Sequence, residues 1–472
     1  MNGHSGSRAT HHDGVLLRLG GRFLHGGAAN APLRFIPGTT YPIAPAYNCQ
    51  LTATIINRDR RNRNYITMTN QERIQARIAR DKARKAEKRQ AALDKYGNFK
   101  NVMTMRNFLR SLRRRIKNTS WKGSVQTFVS HAIVKLKRMH DSAIHGNIQV
   151  NQRIKHLVIN ERGKRRDCHA IMIDSRVIQG VVCDSSITPL TQPTLIYDNP
   201  ASTKGKGVSH ARRRIQRHLE KQIRKSGADF HVFCYDLKGY FDSILHSRCR
   251  HELRKAGQDA VLEEMTMRFI KMYQAQDISL LTDSQERKQK MEELEADKAR
   301  GATLGSQISQ DMALVIPNDV DHFIKDKMRV KHNIRYMDDG NIIHDSKHFL
   351  KNLQEAVGDR FAEIGLTLNP KKTCIVKATK GFMFLKVFYR VTNTGKIVKK
   401  IAKSGIIRMR RKLKKFRRLV DKGVMRLDDV FNSFKSWWGT ARDIAQTYRQ
   451  RKRMLNLYNR LFHQYRTRGM VA

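Results

Sequence analysis

Two acidic side chains stand next to each other, Asp338 and Asp339, inside the stretch RYMDDGNIIH (335–344), with apolar residues on both flanks. The pattern reads as a β-hairpin, and a tight turn would bring both carboxylates to one sheet edge. Like charges that close repel, and the usual remedy is a divalent cation held by oxygen ligands. One hairpin cannot complete such a site. Asp236 supplies a third carboxylate: in HVFCYDLKGYFDSIL (231–245) it ends the apolar strand His231–Tyr235 and precedes Gly239 and an aromatic pair. The chain between Asp236 and Asp338 is long enough for the two strands to lie side by side. Three carboxylates around two Mg²⁺ ions, roughly 4 Å apart, make the clamp of phosphoryl transfer. One ion activates an attacking 3′ hydroxyl; the other holds a triphosphate and stabilises the leaving pyrophosphate. Taken alone, a DD pair is also the composition of a solvated turn, and an acid after a strand that of a cap.

The elements that must position these acids lie between 230 and 390. Short β-rich pieces, His231–Tyr235, Ile334–Met337, Asn341–His344, Thr373–Val376 and Met383–Val387, alternate there with helical stretches. This is an α+β pattern with a small, mostly antiparallel sheet. Residues 275–300 read as a charged helical insert. From about 100 to 225 come basic helical stretches, then the alternating segment His156–Ile159 and a basic turn, Arg162–Arg166. Residues 70–94 are strong helix formers of mixed charge. Residues 1–67, rich in Gly, His, Arg and Asn, hold no persistent period and are expected to be disordered. The end of the chain, 404–466, reads as helical and very basic with aromatics interleaved. Arg408, Arg411 and Lys415 crowd one helix there, over a thin apolar stripe of Ile407, Phe416 and Leu419.

Composition narrows the partner. The 472 residues are 40% hydrophobic, enough for a sizeable core, yet Lys and Arg total 93 against 41 Asp and Glu, a formal net charge of +52. Such an excess serves a polyanion, and nucleic acid leads, since each neutralised phosphate releases counterions. No long basic amphipathic helix with a clear apolar face points to a membrane surface. No run of about 18 apolar residues exists to span one. Six cysteines (49, 168, 183, 234, 249, 374) are scattered without a CxxC pair, which argues against zinc and against a disulfide framework and fits a reducing cytoplasm.

The motifs resemble those of reverse transcriptases. Tyr336-Met337-Asp338-Asp339 is similar to the YxDD box, and Asp236-Leu237-Lys238-Gly239-Tyr240-Phe241 to the first catalytic motif. Gly301-Ala302-Thr303-Leu304-Gly305-Ser306-Gln307-Ile308-Ser309-Gln310 resembles the glycine loop and helix start that pack against template and nucleotide. Gly365 to Thr373 (GLTLNPKKT) resembles a later motif, and Phe384-Leu385-Lys386 the primer grip. Lys164-Arg165-Arg166 with Asp174 to Gln179 (DSRVIQ) resembles a fingers motif. Lys204-Gly205-Lys206-Gly207, followed by a basic helix from His210 through Arg212 to Lys225, resembles a template-side stretch of the fingers.

The resemblance implies a right-hand polymerase. Fingers would span 151–230 and the palm 231–390, after a basic helical region at 68–150; a helical thumb would occupy 391–472. Asp236, Asp338 and Asp339 would be the catalytic, metal-binding acids, with backbone at Leu237 beside metal or phosphate; the ions would be two Mg²⁺, with Mn²⁺ as substitute. Lys164 and Arg166 would meet the triphosphate of a dNTP. Phe241 would reject a 2′ hydroxyl, Gly305 and Gln307 would approach the nucleotide, and Lys372 would protonate pyrophosphate. Lys204, Lys206, Arg212 and Tyr336 would contact template or primer, and Arg408, Arg411 and Lys415 would follow a duplex backbone.

Two departures stand out: Leu304 replaces a glutamine common before the loop glycine, and Lys386 a common glycine. The form of that loop and the compact length resemble bacterial, defence-associated reverse transcriptases working in the cytoplasm with a structured non-coding RNA. Neither an RNase H domain nor a zinc endonuclease is expected. Priming from a protein hydroxyl, a homo-oligomer, and retron, diversity-generating or group II intron roles stay open. So do template-independent nucleotide addition and a catalytically silent RNA-binding protein.

Overall fold

The computed structural model describes residues 69–146, 154–161, 164–442, 444 and 447–463; the stretch expected to be disordered, 1–67, lies outside them. The chain divides into two units, Met1–Ala79 and Arg80–Ala472. Of the first, residues 69–79 are described and open the helix α1 (Asn70–Tyr96). The second unit holds the elements that follow.

Helices α2 (Met105–Ile116), α3 (Gly123–Ser130) and α4 (Ala132–Ile144) lead into a hairpin of β1 (Ile154–Glu161) and β2 (Lys164–Ile171). These strands pair from Ile154↔Ile171 to Glu161↔Lys164. The segment read as a basic turn is therefore strand from Lys164 onward. Residues 155–160 are exposed while Ile154 and Ile171, at the root, pack on the larger core, so the basic run hid the hairpin. Next come α5 (Ile173–Val182) and α6 (Val208–Ser226), then β3 (His231–Asp236). Helix α7 (His246–Ala256) is followed by α8 (Ala260–Ser279), which Asp259 caps by accepting from the Leu262 N–H. The charged insert divides: its first residues finish α8, and Asp283 caps a separate helix, α9 (Ser284–Glu295). Ser306 caps α10 (Gln307–Val315).

A central antiparallel sheet has the order β4-β5-β3-β6, with β4 (Asn333–Tyr336), β5 (Asp339–His344) and, after helix α11 (Lys347–Glu363), β6 (Cys374–Lys377). Both of its faces are covered. Phe233, Tyr235 and Ile342 enter the larger core, whereas Val232, Ile334 and Ile343 enter a second core shared with Ala211, Ile215 and Leu219 of α6. Double coverage explains why β3 reads as a continuous apolar run instead of an alternation.

The second core also takes in a three-stranded sheet of β7 (Phe382–Phe384), β8 (Val387–Val391) and β9 (Ile397–Ile401). The sequence suggested one strand, Met383–Val387. Instead the chain reverses at Leu385 and Lys386, whose φ angles of 45° and 68° are left-handed. Two such residues make the primed hairpin turn that Asn-Gly normally announces, and neither is present here. β9 belongs to this sheet, so the C-terminal helices start only at α12 (Lys403–Asp421), followed by α13 (Leu427–Arg442) and α14 (Tyr448–Phe462). Their shared core is Met409, Leu413 and Phe416 against Val430, Phe434, Met454, Tyr458 and Phe462. The stripe on α12 is thus 409/413/416, one face at i, i+4, i+7 spacing. Ile407, expected in it, is 38% exposed.

One buried ion pair fastens β4. Arg335 and Asp321 are each about 1% exposed. The guanidinium donates to both Asp321 oxygens at 2.6–2.9 Å, to the Leu314 carbonyl at 3.0 Å and to the Met337 carbonyl at 3.0 Å. The last bond holds the turn that carries Asp338. Removing one partner strands the other charge in the core, so Arg335→Ala should lower the unfolding free energy by about 3–5 kcal/mol, measured by urea denaturation. A loss below about 1 kcal/mol would show that the pair does not fasten this strand.

Candidate active site

Register brings the acids together. In the β3–β5 ladder Asp236 lies directly opposite Asp339, and in the β4–β5 ladder Tyr336 pairs with Asp339, leaving Met337 and Asp338 as a two-residue turn. Met337 takes the left-handed φ of 59°, as a tight hairpin turn demands of one of its residues. The Leu237 N–H donates to the Asp338 carbonyl at 3.1 Å, so backbone just beyond β3 closes over the turn. Gly340 follows for a steric reason: a Cβ there would lie 2.1 Å from a ring atom of buried Tyr235.

The loop after α11 wraps the end of β3. The Lys238 N–H donates to the Thr367 carbonyl at 2.9 Å and the Asn369 N–H to the Asp236 carbonyl at 2.7 Å. The side chains then converge on Asp236: Asn369 Nδ2 donates to Oδ1 at 3.1 Å and Lys372 Nζ to Oδ2 at 2.6 Å. Asn369 had not been singled out from the sequence. Its signal in the sequence was its place inside the GLTLNPKKT motif, beside Lys372.

Desolvation and mutual repulsion leave these acids short of positive charge. Burial raises the Asp338 carboxyl, and the Asp236 charge adds to it, against Lys372 and Arg166. Burial, then the charges of Asp338 and Asp236, push Asp339 up to about 7, although the Leu385 N–H and Lys372 oppose the shift. Among the described residues no three His, Cys, Asp or Glu side chains already encircle a metal position. Lys372 and Asn369 occupy the two oxygens of Asp236. The all-oxygen, charge-deficient donor set fits a hard divalent cation, with Lys372 standing where positive charge is wanted.

The acids open into a cleft of about 1310 Å³. Arg166 of the β1–β2 hairpin, Arg212, Tyr336, Lys372 and Arg408 line it with them. The other candidates lie elsewhere. Lys164 opens β2. Phe241, half-buried, packs on the larger core with its ring edge-on to Tyr240. A Cβ on Gly305 would lie 2.7 Å from the His169 carbonyl oxygen, so the bareness expected to admit a nucleotide first admits strand β2, whose His169 N–H donates to the Leu304 carbonyl at 3.2 Å. Gln307 accepts from Arg115 at 2.6 Å and donates to Asp184 at 3.1 Å. With Lys204 it lines a separate cleft of about 700 Å³. Lys206 sits 4.3 Å from the Tyr197 ring centre and donates to the Tyr197 carbonyl. Arg411 and Lys415 are exposed on α12.

An antiparallel sheet that gathers three carboxylates at the floor of a cation-walled cleft, within an α+β fold, marks a polymerase-type nucleotidyltransferase. Residues 158–389 match the family model described as "Reverse transcriptase (RNA-dependent DNA polymerase)", so this stretch is a reverse transcriptase domain. Among curated proteins none matches the chain. Two solved structures are similar to it. Apo telomerase from Candida tropicalis, truncated from its C-terminal domain, is 11% identical over 52% of this chain and 54% of its own, with a TM-score of 0.38. Telomerase from Candida albicans, in complex with a TWJ fragment of telomeric RNA, is 13% identical over 66% of this chain and 54% of its own, with a TM-score of 0.37. The chain spans about half the length of these structures.

The raised Asp339 carboxyl sets a pH-dependent stability. In the carboxylate range the folded chain keeps a proton there that the unfolded chain has released. Stability therefore falls as pH rises toward 7 and the group is forced to ionise. In EDTA, Asp339→Asn should melt higher than the parent, with the gap widening from pH 5 to pH 8. Added Mg²⁺ should raise the parent's melting temperature and leave the variant's nearly unchanged. Equal melting of the two in EDTA at pH 8 would contradict the crowding of charge at this position.

Proposed function

We propose that this chain extends a 3′ hydroxyl with dNTPs copied from an RNA template. The observation that supports this most directly is the pairing of Asp236 with Asp339, Asp338 on the intervening turn, at the base of the cleft. Two Mg²⁺ ions held by Asp236, Asp338 and Asp339, with Mn²⁺ able to substitute, would supply Lewis-acid activation of the hydroxyl and charge neutralisation on the triphosphate. The chain's own groups would do the rest. Arg166, whose charge already reaches Asp338, would take triphosphate oxygens. The Lys372 ammonium, 2.6 Å from Asp236, would swing to the leaving pyrophosphate and donate its proton. Met337 and Tyr336, backed by Arg335, would keep the turn rigid under the primer terminus. Phe241 would police the sugar, and Arg408, Arg411 and Lys415 would track the duplex backbone without reading sequence.

The loop of Gly301 to Gln310 favours a bacterial, cytoplasmic enzyme that works with a structured non-coding RNA in anti-phage defence. Sequencing the nucleic acid that co-purifies with the protein separates this role from the others. An RNA encoded beside the gene supports defence or retron use; a variable-repeat template supports diversity generation; intron RNA supports mobility. Products that ignore the offered template would favour the template-independent reading instead.

Catalysis is tested by primer extension on RNA with dNTPs and Mg²⁺. Asp338→Ala/Asp339→Ala should abolish DNA synthesis while primer–template binding persists; undiminished synthesis would end the proposal. Lys372→Ala should lower kcat by about 10²-fold, the lower end for a lost general acid.

A further inference from the structure

The sheet that gathers the acids also pairs two cysteines. In the β3–β6 ladder Cys234 lies directly opposite Cys374, and both are free thiols. The Ala378 N–H donates to the Phe230 carbonyl at 3.0 Å, which sets the phase of this ladder: Phe230/Ala378, Val232/Val376 and Cys234/Cys374 are its hydrogen-bonded pairs. Opposite Cα atoms in such a pair are about 5.5 Å apart, inside the window that a disulfide spans. The side chains meet accordingly, with the Cys234 S–H donating to the Cys374 sulfur. The scattered spacing of the cysteines along the chain hides this meeting.

The two sulfurs differ in access. β6 is an edge strand of the sheet, and Cys374 is exposed there, whereas Cys234 packs against the second core. Donation from Cys234 lowers the Cys374 thiol to about 6, against burial, so the exposed sulfur is the one that carries thiolate. Cys183 and Cys249, by contrast, are fully buried, and burial raises both thiols. An accessible thiolate with a second thiol in contact is the arrangement that a hydroperoxide oxidises selectively.

Strand alternation sets the pair beside the site. Cys234 and Asp236 share one face of β3, and Lys372, which donates to Asp236 at 2.6 Å, stands just before β6. A disulfide draws opposite Cβ atoms to about 3.8 Å, against about 4.5–5.5 Å for ordinary pairs, so the end of β6 shifts toward β3 by about 1 Å. The Asn369–Lys372 loop, which holds both oxygens of Asp236, shifts with it. We propose that Cys234 and Cys374 form an oxidative modification site whose substrate is a hydroperoxide and whose product, a cross-strand disulfide, reversibly disables the acid cluster. The Cys374 thiolate takes the terminal oxygen of the peroxide and becomes a sulfenic acid, while the alkoxide or hydroxide released picks up a proton from water. The Cys234 thiol then attacks that sulfur; its proton leaves with the hydroxyl as water, and the S–S bond forms. The two sulfurs give up two electrons, which the cleaved O–O bond takes. The effect on DNA synthesis rests on the polymerase reading.

The full chain is reduced, exposed to hydrogen peroxide and divided between two measurements: peptide mass spectrometry without reductant, and primer extension before and after dithiothreitol. The peptides bearing Cys234 and Cys374 should emerge linked, two hydrogens lighter than their sum. The kcat of the oxidised parent should fall by about 10²-fold, the loss that a misplacement of roughly 1 Å brings, and dithiothreitol should restore it. Cys374→Ser should match the reduced parent in activity and melting temperature and keep that activity in peroxide. Cys234→Ser should stop at the Cys374 sulfenic acid, trapped by dimedone; should it fail to fold, Cys374→Ser carries the comparison. A linked pair with undiminished synthesis overturns the disabling effect and leaves the polymerase reading intact. Cys374 joined to another cysteine or to a second chain, or carried to sulfinic acid without a bridge, overturns the site. Equal inhibition of Cys374→Ser by peroxide overturns it too. A reduced parent that extends no primer removes the polymerase reading, while the mapped link still decides the site.

Discussion

Crowding three carboxylates at one end of a doubly covered sheet is the constraint on which the site depends. The register of β3 against β5 leaves no choice, since Asp236 must face Asp339 once the apolar residues on both faces find their cores. Partial burial weakens the screening of these charges by water. Lys372, Asn369 and the Leu385 N–H offset part of the repulsion. The remainder is an appetite for positive charge, which is what a site for cations and a triphosphate needs.

Backbone conformation is held against its own preference around this cluster. Met337, Leu385 and Lys386 all adopt left-handed φ values without being glycine. Such residues persist only where the surroundings over-determine them, and here the surroundings are identifiable. Arg335, paired with Asp321, grips the Met337 carbonyl from beneath. Arg212 grips the Leu385 carbonyl from the side. Two arginines from different parts of the chain thus hold two turns that meet at Asp339.

The net charge of +52 does not translate residue by residue into contacts with a polyanion. Some of it is consumed internally. Buried Asp198 gathers His218 at 3.3 Å, Arg214 at 2.6 Å and Lys325 at 3.1 Å, and against burial, which raises it, first His218 and then Arg214 and Lys325 hold its carboxyl below the usual range. Lys206 rests on Tyr197. By contrast, α12 keeps its cations outside because Met409, Leu413 and Phe416 occupy its inner face. That helix therefore remains a cationic surface beside the cleft.

The acids and the strands bearing them were legible in the sequence, because a tight turn, an apolar run and their order need only local chemistry to be recognised. The α+β class and the C-terminal helices followed from periodicity for the same reason. Other features were not legible. The Leu385–Lys386 reversal has no turn residues, two of the five residues of β9 are charged, and the β1–β2 hairpin meets the core only near its root. Partners such as Asn369 on Asp236, Arg335 on Asp321 and Gln307 between Arg115 and Asp184 come from segments distant in the chain. Residue type and spacing determine what a segment can form alone, whereas which charge meets which, and which thiol faces which as at Cys234 and Cys374, is decided only when packing fixes distances between segments that the chain itself does not bring near.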